Sequence, residues 1–428
     1  MSKILGVDTS TIDNISGLGV GGGGISAVPV TTDTGVVLCP VNSSLGRPFS
    51  ENEFSAYTNP AHMYQISDIT GVQSMIQSSN LYGILKTNGD FYVGGWTNSV
   101  YMGMSSADGN SVISDGGVKL SLSGVAKVAP HSNGFFAIKT NGELWFCGSV
   151  SSYLNSTGLG GGSTTSAYGW AQVGSDSNWH DIHCWAGYPY QALAIKGDSG
   201  SRYLYATGRG TSGATGQGNT SNLLAFTRVK SASSTDLSES MEVCKVSYSS
   251  CLAVSASGKL FSWGENYYGS LGKGNTTDTN YAAQVGVATD WNNVWVNRFG
   301  GFAKKTDGTM HMTTSHSSWR IEPSTNKTFT QIGTDTDYQD LRLFDQTTST
   351  MNYTVFAKKG GSWFVSFSAA TAGGWQGSTA PSSSNQGSWV ALNDALTEND
   401  ITGTVDDILP FASTLSSNSP SVMFALSP

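Results

Sequence analysis

Charge is scarce in this chain. Of its 428 residues only 22 are Lys or Arg and 30 are Asp or Glu, which leaves a formal charge of −8. Phosphate binding needs clustered cations, so this balance argues against nucleic acid as a partner. Cysteine is rare as well: Cys39, Cys147, Cys184, Cys244 and Cys251 form no CxxC pair. Most of them sit in strand-like runs, which predicts buried free thiols and argues against a disulfide framework. No apolar run reaches the roughly 18 residues of a membrane-spanning helix, so membrane insertion is not expected. The opening MSKILGVDTS also lacks the apolar core of a signal peptide, so export by that route is not expected.

Glycine, by contrast, is abundant at 53 residues, and Ser, Thr and Asn are frequent. The surface is therefore polar through hydroxyls and amides more than through charge. With 12 Trp, 17 Tyr and 17 Phe, the chain still has enough apolar area for a large core. A globular all-β chain of this length fits one closed domain.

Internal periodicity identifies that domain. Tyr82-Gly-Ile-Leu-Lys-Thr-Asn-Gly-Asp-Phe-Tyr-Val-Gly-Gly95 matches Phe136-Ala-Ile-Lys-Thr-Asn-Gly-Glu-Leu-Trp-Phe-Cys-Gly148, and both match Leu252-Ala-Val-Ser-Ala-Ser-Gly-Lys-Leu-Phe-Ser-Trp-Gly264. Further copies start at Ala192, Phe302 and Val355. Each copy reads as a β-hairpin, because Asn-Gly, Ser-Gly and Asp-Gly supply the positive φ that a tight turn between right-twisted strands needs. Alternating runs such as Trp179-His-Asp-Ile-His and Trp291-Asn-Asn-Val-Trp-Val precede most copies and predict a third strand. A seventh copy is split, its second half at Thr32–Cys39 and its first half at Ser421–Ser427. Joining the halves would hide exposed sheet edges by closing a ring. The expected fold is an all-β, seven-bladed β-propeller over residues 28–428, closed by pairing of N- and C-terminal strands, with a short extended arm at residues 1–27.

Ser262-Trp-Gly-Glu-Asn-Tyr-Tyr-Gly-Ser-Leu-Gly-Lys-Gly274, with a second version at Ala206–Gly218, resembles the signature of regulator-of-chromosome-condensation (RCC1-like) repeats. The resemblance implies a propeller of that type, with Trp170-Ala-Gln-Val, Phe226-Thr-Arg-Val and Ala283-Gln-Val as outer strands. It does not fix a function, since one propeller frame serves exchange factors, inhibitors, lectins and scaffolds. In the arm, Lys3-Ile-Leu-Gly-Val-Asp8 and Ile12-Asp-Asn-Ile-Ser-Gly-Leu-Gly19 echo each other and resemble N-terminal arms of bacteriophage tail and virion proteins. An apolar segment outside the ring cannot bury itself alone, so Ile4, Leu5, Val7, Ile12, Ile15 and Leu18 are the candidate anchoring residues.

Reactive chemistry is thin. Gly19–Gly24 satisfies GxGxxG, but Ile25-Ser-Ala-Val-Pro-Val30 after it reads as extended rather than helical, so the run reads as a hinge. His180, Asp181, His183 and Cys184 form the one dense set of metal-capable residues, yet strict alternation puts His180 and His183 on opposite faces of a strand. Adjacent Asp406 and Asp407 likewise point apart on a strand. No nucleophile elbow, HExxH or P-loop occurs. No catalytic residue, metal ligand or cofactor is therefore expected. Aromatic residues flanked by Asn, Ser and Gly suit sugar stacking or protein contact. Tyr188, Tyr190, Tyr267, Tyr268, Trp96 and Trp375 are the candidate surface contacts.

These features together predict a non-enzymatic virion structural protein, a tail, fibre or head decoration subunit assembled in the host cytoplasm. Its arm would bind other virion proteins, and its propeller would contribute to host attachment through glycan or protein. The alternative is a bacterial protein-binding propeller, such as an enzyme inhibitor or adhesin. Third is an enzyme working at the central mouth of the ring.

Overall fold

The computed structural model describes residues 35–38, 64–67, 71–78, 81–95, 119–131, 134–148, 167–185, 191–316, 325–343, 355–366, 389–391, 404–412 and 420–427. Among these residues the regular structure is almost entirely antiparallel β, with one short 3-10 turn at Thr211–Gly213. The repeats fold into six four-stranded blades of contiguous chain. Their first strands are Val72–Ser78, Val125–His131, Trp179–Trp185, Met241–Ser247, Trp291–Asn297 and Tyr338–Leu343.

Contiguous blades thus number six, one fewer than the seven expected. The remaining four-stranded sheet is composite, ordered Thr404–Ala412, Pro420–Ser427, Gly35–Leu38, Tyr64–Ser67. Its two middle strands come from opposite ends of the described chain and pair Gly35 with Leu426, Val36 with Ala425, Val37 with Phe424 and Leu38 with Met423. The first strands of neighbouring blades lie side by side around the axis, and Thr404–Ala412 lies beside both Tyr338–Leu343 and Val72–Ser78. Residues 1–27 lie outside the described residues, including Ile4, Leu5, Val7, Ile12, Ile15 and Leu18.

The hairpin at the centre of each repeat forms as its turn chemistry dictates. Gly142 and Gly258 sit in these turns with φ of +81° and +75°. A Cβ there would also come within 2.1 Å of the Ser177 carbonyl and 2.0 Å of the Thr289 carbonyl, on the links to the following blades. The same two glycines accept hydrogen bonds from Trp179 and Trp291, the first residues of those blades, both at 3.0 Å. A turn residue thus sets both the hairpin and the blade-to-blade contact.

Strict alternation fails in one recurrent place. Every first strand has a register shift after its first residue, as between Val125 and Lys127, Trp179 and Asp181, Met241 and Val243, and Trp291 and Asn293. The composite sheet shows the same shift between Val405 and Asp407. One extra residue in each strand bends it and strengthens its twist, as a closed ring of radial sheets requires.

The core lies between facing blades. Leu193, Ile195 and Leu204 pack with Cys244, Val246, Cys251 and Trp263 across one such seam. The signature loops lie across the next seam outward. Ala214 accepts a hydrogen bond from Trp263 Nε1 at 2.9 Å, and Gly269 accepts one from Thr313 Oγ1 at 2.8 Å. Gly213 and Gly218 abut Asn280 and Tyr281, and Gly272 abuts Phe329. The glycines of the signature therefore let one blade's loop lie on the next blade's outer strand, a packing role rather than a chemical one. Cys147, Cys184, Cys244 and Cys251 are buried thiols outside any disulfide, and burial pushes each well above its ordinary pKa. Cys39 lies outside the described residues.

Candidate binding face

Antiparallel order sorts the connections onto two faces. In each blade the second-to-third turn and the link to the next blade leave on one side. The first-to-second turn and the third-to-fourth loop leave on the other.

On the turn side several lysines are covered by rings, and two of these are also paired with acids. Lysines at the ends of second strands cover aromatic rings: Lys139 over Trp145 at 4.7 Å, Lys196 over Tyr205 at 4.6 Å and Lys305 over Trp291 at 5.1 Å. Acids on the inter-blade links pair with the same cations, Asp176 with Lys196 at 3.0 Å and Asp290 with Lys305 at 3.1 Å. His180 and His183 are also accounted for. His180 lies 3.6 Å from Glu242, while His183 Nδ1 accepts the Val246 N–H at 3.2 Å. The register shift that skips His180 removes the strict alternation expected of this strand. Among the described residues no group of three His, Cys, Asp or Glu side chains is placed to hold a metal ion. The side chains of Asp406 and Asp407 lie outside the description.

The loop side is different, and its best-defined part spans the fourth and fifth blades. Ser247 pairs with Ser250, so Tyr248 and Ser249 alone make the turn, at φ of +44° and +81°. Two positive-φ residues define the mirror-image turn that normally takes Asn-Gly. On the neighbouring blade Arg298 and Phe299 make the corresponding turn, braced by Asn297 Oδ1, which accepts the N–H groups of Phe299 and Gly300 at 3.0 Å each. This places the Arg298 guanidinium 3.8 Å from the Tyr248 ring centroid, a cation–π contact.

Glu265 completes the group. Its N–H donates to the Ser249 carbonyl at 3.0 Å, and its own carbonyl accepts from Ser250 Oγ at 2.8 Å, so its backbone is clamped to the Tyr248 turn. Burial pushes its carboxyl up to about 7, Arg298 pulls it back and Asp278 pushes it further. Its Oε2 has no hydrogen-bond partner among the described residues. Asn266 next to it is fully buried and locks the loop, donating to the Asn275 and Thr277 carbonyls and accepting from Leu271 N–H at 3.0 Å.

That lock presents Tyr267 outward, 66% exposed. Its ring stands edge-on to Tyr268 at 4.7 Å. Tyr268 is half-buried and packs on Phe299 at 4.9 Å and His316 at 5.0 Å. Burial lowers the His316 pKa.

Of the six sequence-derived surface contacts, the structure brings Tyr267 and Tyr268 into one cluster, with Tyr267 as the outward ring and Tyr268 as its support. Tyr188, Tyr190, Trp96 and Trp375 lie outside the described residues. Sequence reasoning missed Tyr248 and Arg298 as contacts. The available signal was a Tyr-Ser pair standing where a two-residue turn was needed.

The frame and its two faces define a β-propeller of the RCC1-like kind. The structure of Prp20p from Saccharomyces cerevisiae, described with its binding to Gsp1p and histones, is similar over 94% of this chain and 93% of that one, with a TM-score of 0.64 and 10% identity. Yeast RCC1 (Prp20) bound to Kap60 is similar over 92% of this chain and 89% of that one, with a TM-score of 0.65 and 12% identity. Human WBSCR16 is similar over 86% and 90%, with a TM-score of 0.61 and 12% identity. At such identities the likeness establishes the fold alone. No protein-family model matches the sequence, and neither does any curated protein.

Proposed function

We propose that this chain is a non-enzymatic binding propeller, with the composite sheet as its seventh blade, and that it serves as a structural appendage of a bacteriophage particle. The observation that carries the binding reading is the contrast between faces. On the turn side Lys196 and Lys305 are each covered by a ring and matched by an acid. On the loop side an exposed tyrosine stands beside an arginine and a carboxyl that do not pair with each other. The seventh-blade reading is supported by the register shift that the composite sheet shares with the contiguous blades.

The virion reading rests on the arm at residues 1–27, on the uncharged surface and on the lack of an active-site set in the sequence. The arm mounts the protein on other virion proteins, and the loop face points outward to the host surface. Deleting residues 2–27 tests this. The truncated ring keeps the melting behaviour of the full chain but is missing from purified particles, as read by immunoblot. Incorporation at the full-length level contradicts the reading.

A further inference from the structure

We propose that Tyr248, Glu265, Tyr267 and Arg298 form a subsite for one ring of a neutral, hydroxyl-rich sugar. The inference rests on the binding reading of the loop face and names the ligand class of that face.

Three observations converge. First, the Arg298 guanidinium lies over the Tyr248 ring, 3.8 Å from its centroid, and among the described residues it forms no ion pair. The Glu265 carboxyl is coupled to it electrostatically without closing a salt bridge among the described residues; Glu265 Oε2 and Arg298 Nε are buried and lack hydrogen-bond partners there, so they are reached only by a group that enters between the two side chains. A donor fork and a carboxyl held side by side but unengaged suit adjacent hydroxyls, each of which donates and accepts at once. Second, Tyr267 is the flat apolar platform. Its ring is held at 86° to Tyr268, which is itself wedged against Phe299 and His316, so little freedom is lost when a sugar stacks on it. Third, the Tyr248-Ser249 turn adopts a backbone that Asn-Gly adopts with less strain, which marks the position of the Tyr248 ring as selected for something other than the turn.

The charges disfavour the alternatives. A carboxylated ligand at Arg298 meets Glu265 and, behind it, Asp278, and a cationic ligand meets Arg298. A neutral ring meets neither penalty. With a pKa of about 7, the Glu265 carboxyl is about half ionised near pH 7, and its protonated form can also donate to a sugar oxygen.

The test is titration of the full-length protein with the methyl glycosides of glucose, galactose and mannose, and with a methyl sialoside for comparison, read by saturation-transfer-difference NMR. At least one neutral glycoside is expected to bind saturably, with a Kd of about 1 mM. Tyr267→Ala weakens it at least about tenfold, a change of roughly 1.4 kcal/mol. Val287→Ser, at an exposed residue of the opposite face, leaves it unchanged. The inference is overturned if no neutral glycoside binds, if only the sialoside binds, or if Tyr267→Ala binds like the parent. None of these results touches the particle-incorporation experiment, so loss of the sugar subsite leaves the wider reading standing.

Discussion

At Tyr248 and Ser249 the chain accepts backbone strain within an otherwise regular frame. A non-glycine residue in the left-handed region costs about 1–2 kcal/mol relative to one in an ordinary well. Ser249→Gly, which keeps the Tyr248 ring and its Arg298 contact, should therefore stabilise the fold, raising Tm by about 1–2 °C in scanning calorimetry, since at about 2.1 cal/mol/K per residue each 1 kcal/mol moves a chain of 428 residues by only about 1 °C. An unchanged or lowered Tm would show that the turn is not strained. Glu265 makes a second claim at this scale. Its folded pKa is raised from 4.5 to about 7, so the folded state binds its proton more tightly than the unfolded chain does. The stability this provides is complete below pH 4.5 and is lost as pH rises through about 7. Glu265→Gln removes the dependence, so the Tm of the variant relative to the parent should climb between pH 5 and pH 8. A constant difference across that window would mean the carboxyl is not perturbed.

At the scale of elements, the hairpins were the most legible feature, because Asn141-Gly142 and Ser257-Gly258 write the turn directly into the sequence. The outer strands after the signature loops were legible too: Trp170-Ala-Gln-Val, Phe226-Thr-Arg-Val and Ala283-Gln-Val fall in or at the ends of Ala167–Gln172, Leu223–Arg228 and Thr279–Gln284. The register shift in each first strand was not anticipated, because strict alternation was assumed. Its trace is visible in Trp179-His-Asp-Ile and Trp291-Asn-Asn-Val, where two polar residues separate buried ones. The clamp between Glu265 and the Tyr248 turn was beyond sequence reading, since it depends on which loops the blade order sets side by side. Blade spacing supplies the check at this scale. Gly142→Ala and Gly258→Ala combine positive φ with a Cβ driven into the next link and should each cost about 3 kcal/mol or more. Gly286→Ala, at φ +64° with open space around it, should cost only about 1–2 kcal/mol. Equal losses in urea denaturation would show that these turns do not set the blade-to-blade contact.

For the whole molecule, the loop side is one continuous surface only where the ring is closed. Blades stacked in sequence can form an open arc; the pairing of Gly35–Leu38 with Pro420–Ser427 makes the ends meet. That split repeat was readable because its two halves, when joined, restored one copy of the unit. The count was less readable, since the last sheet differs in kind from the six contiguous blades and takes its outer strand from Tyr64–Ser67. The most direct measurement is calorimetric unfolding of a chain ending at Pro420, set against the full chain. Losing Ser421–Pro428 removes a middle strand of the closing sheet, so Tm should fall by about 10 °C or more, with the blades no longer unfolding as one cooperative unit. A truncated protein that melts at the parental temperature in a single transition would contradict ring closure.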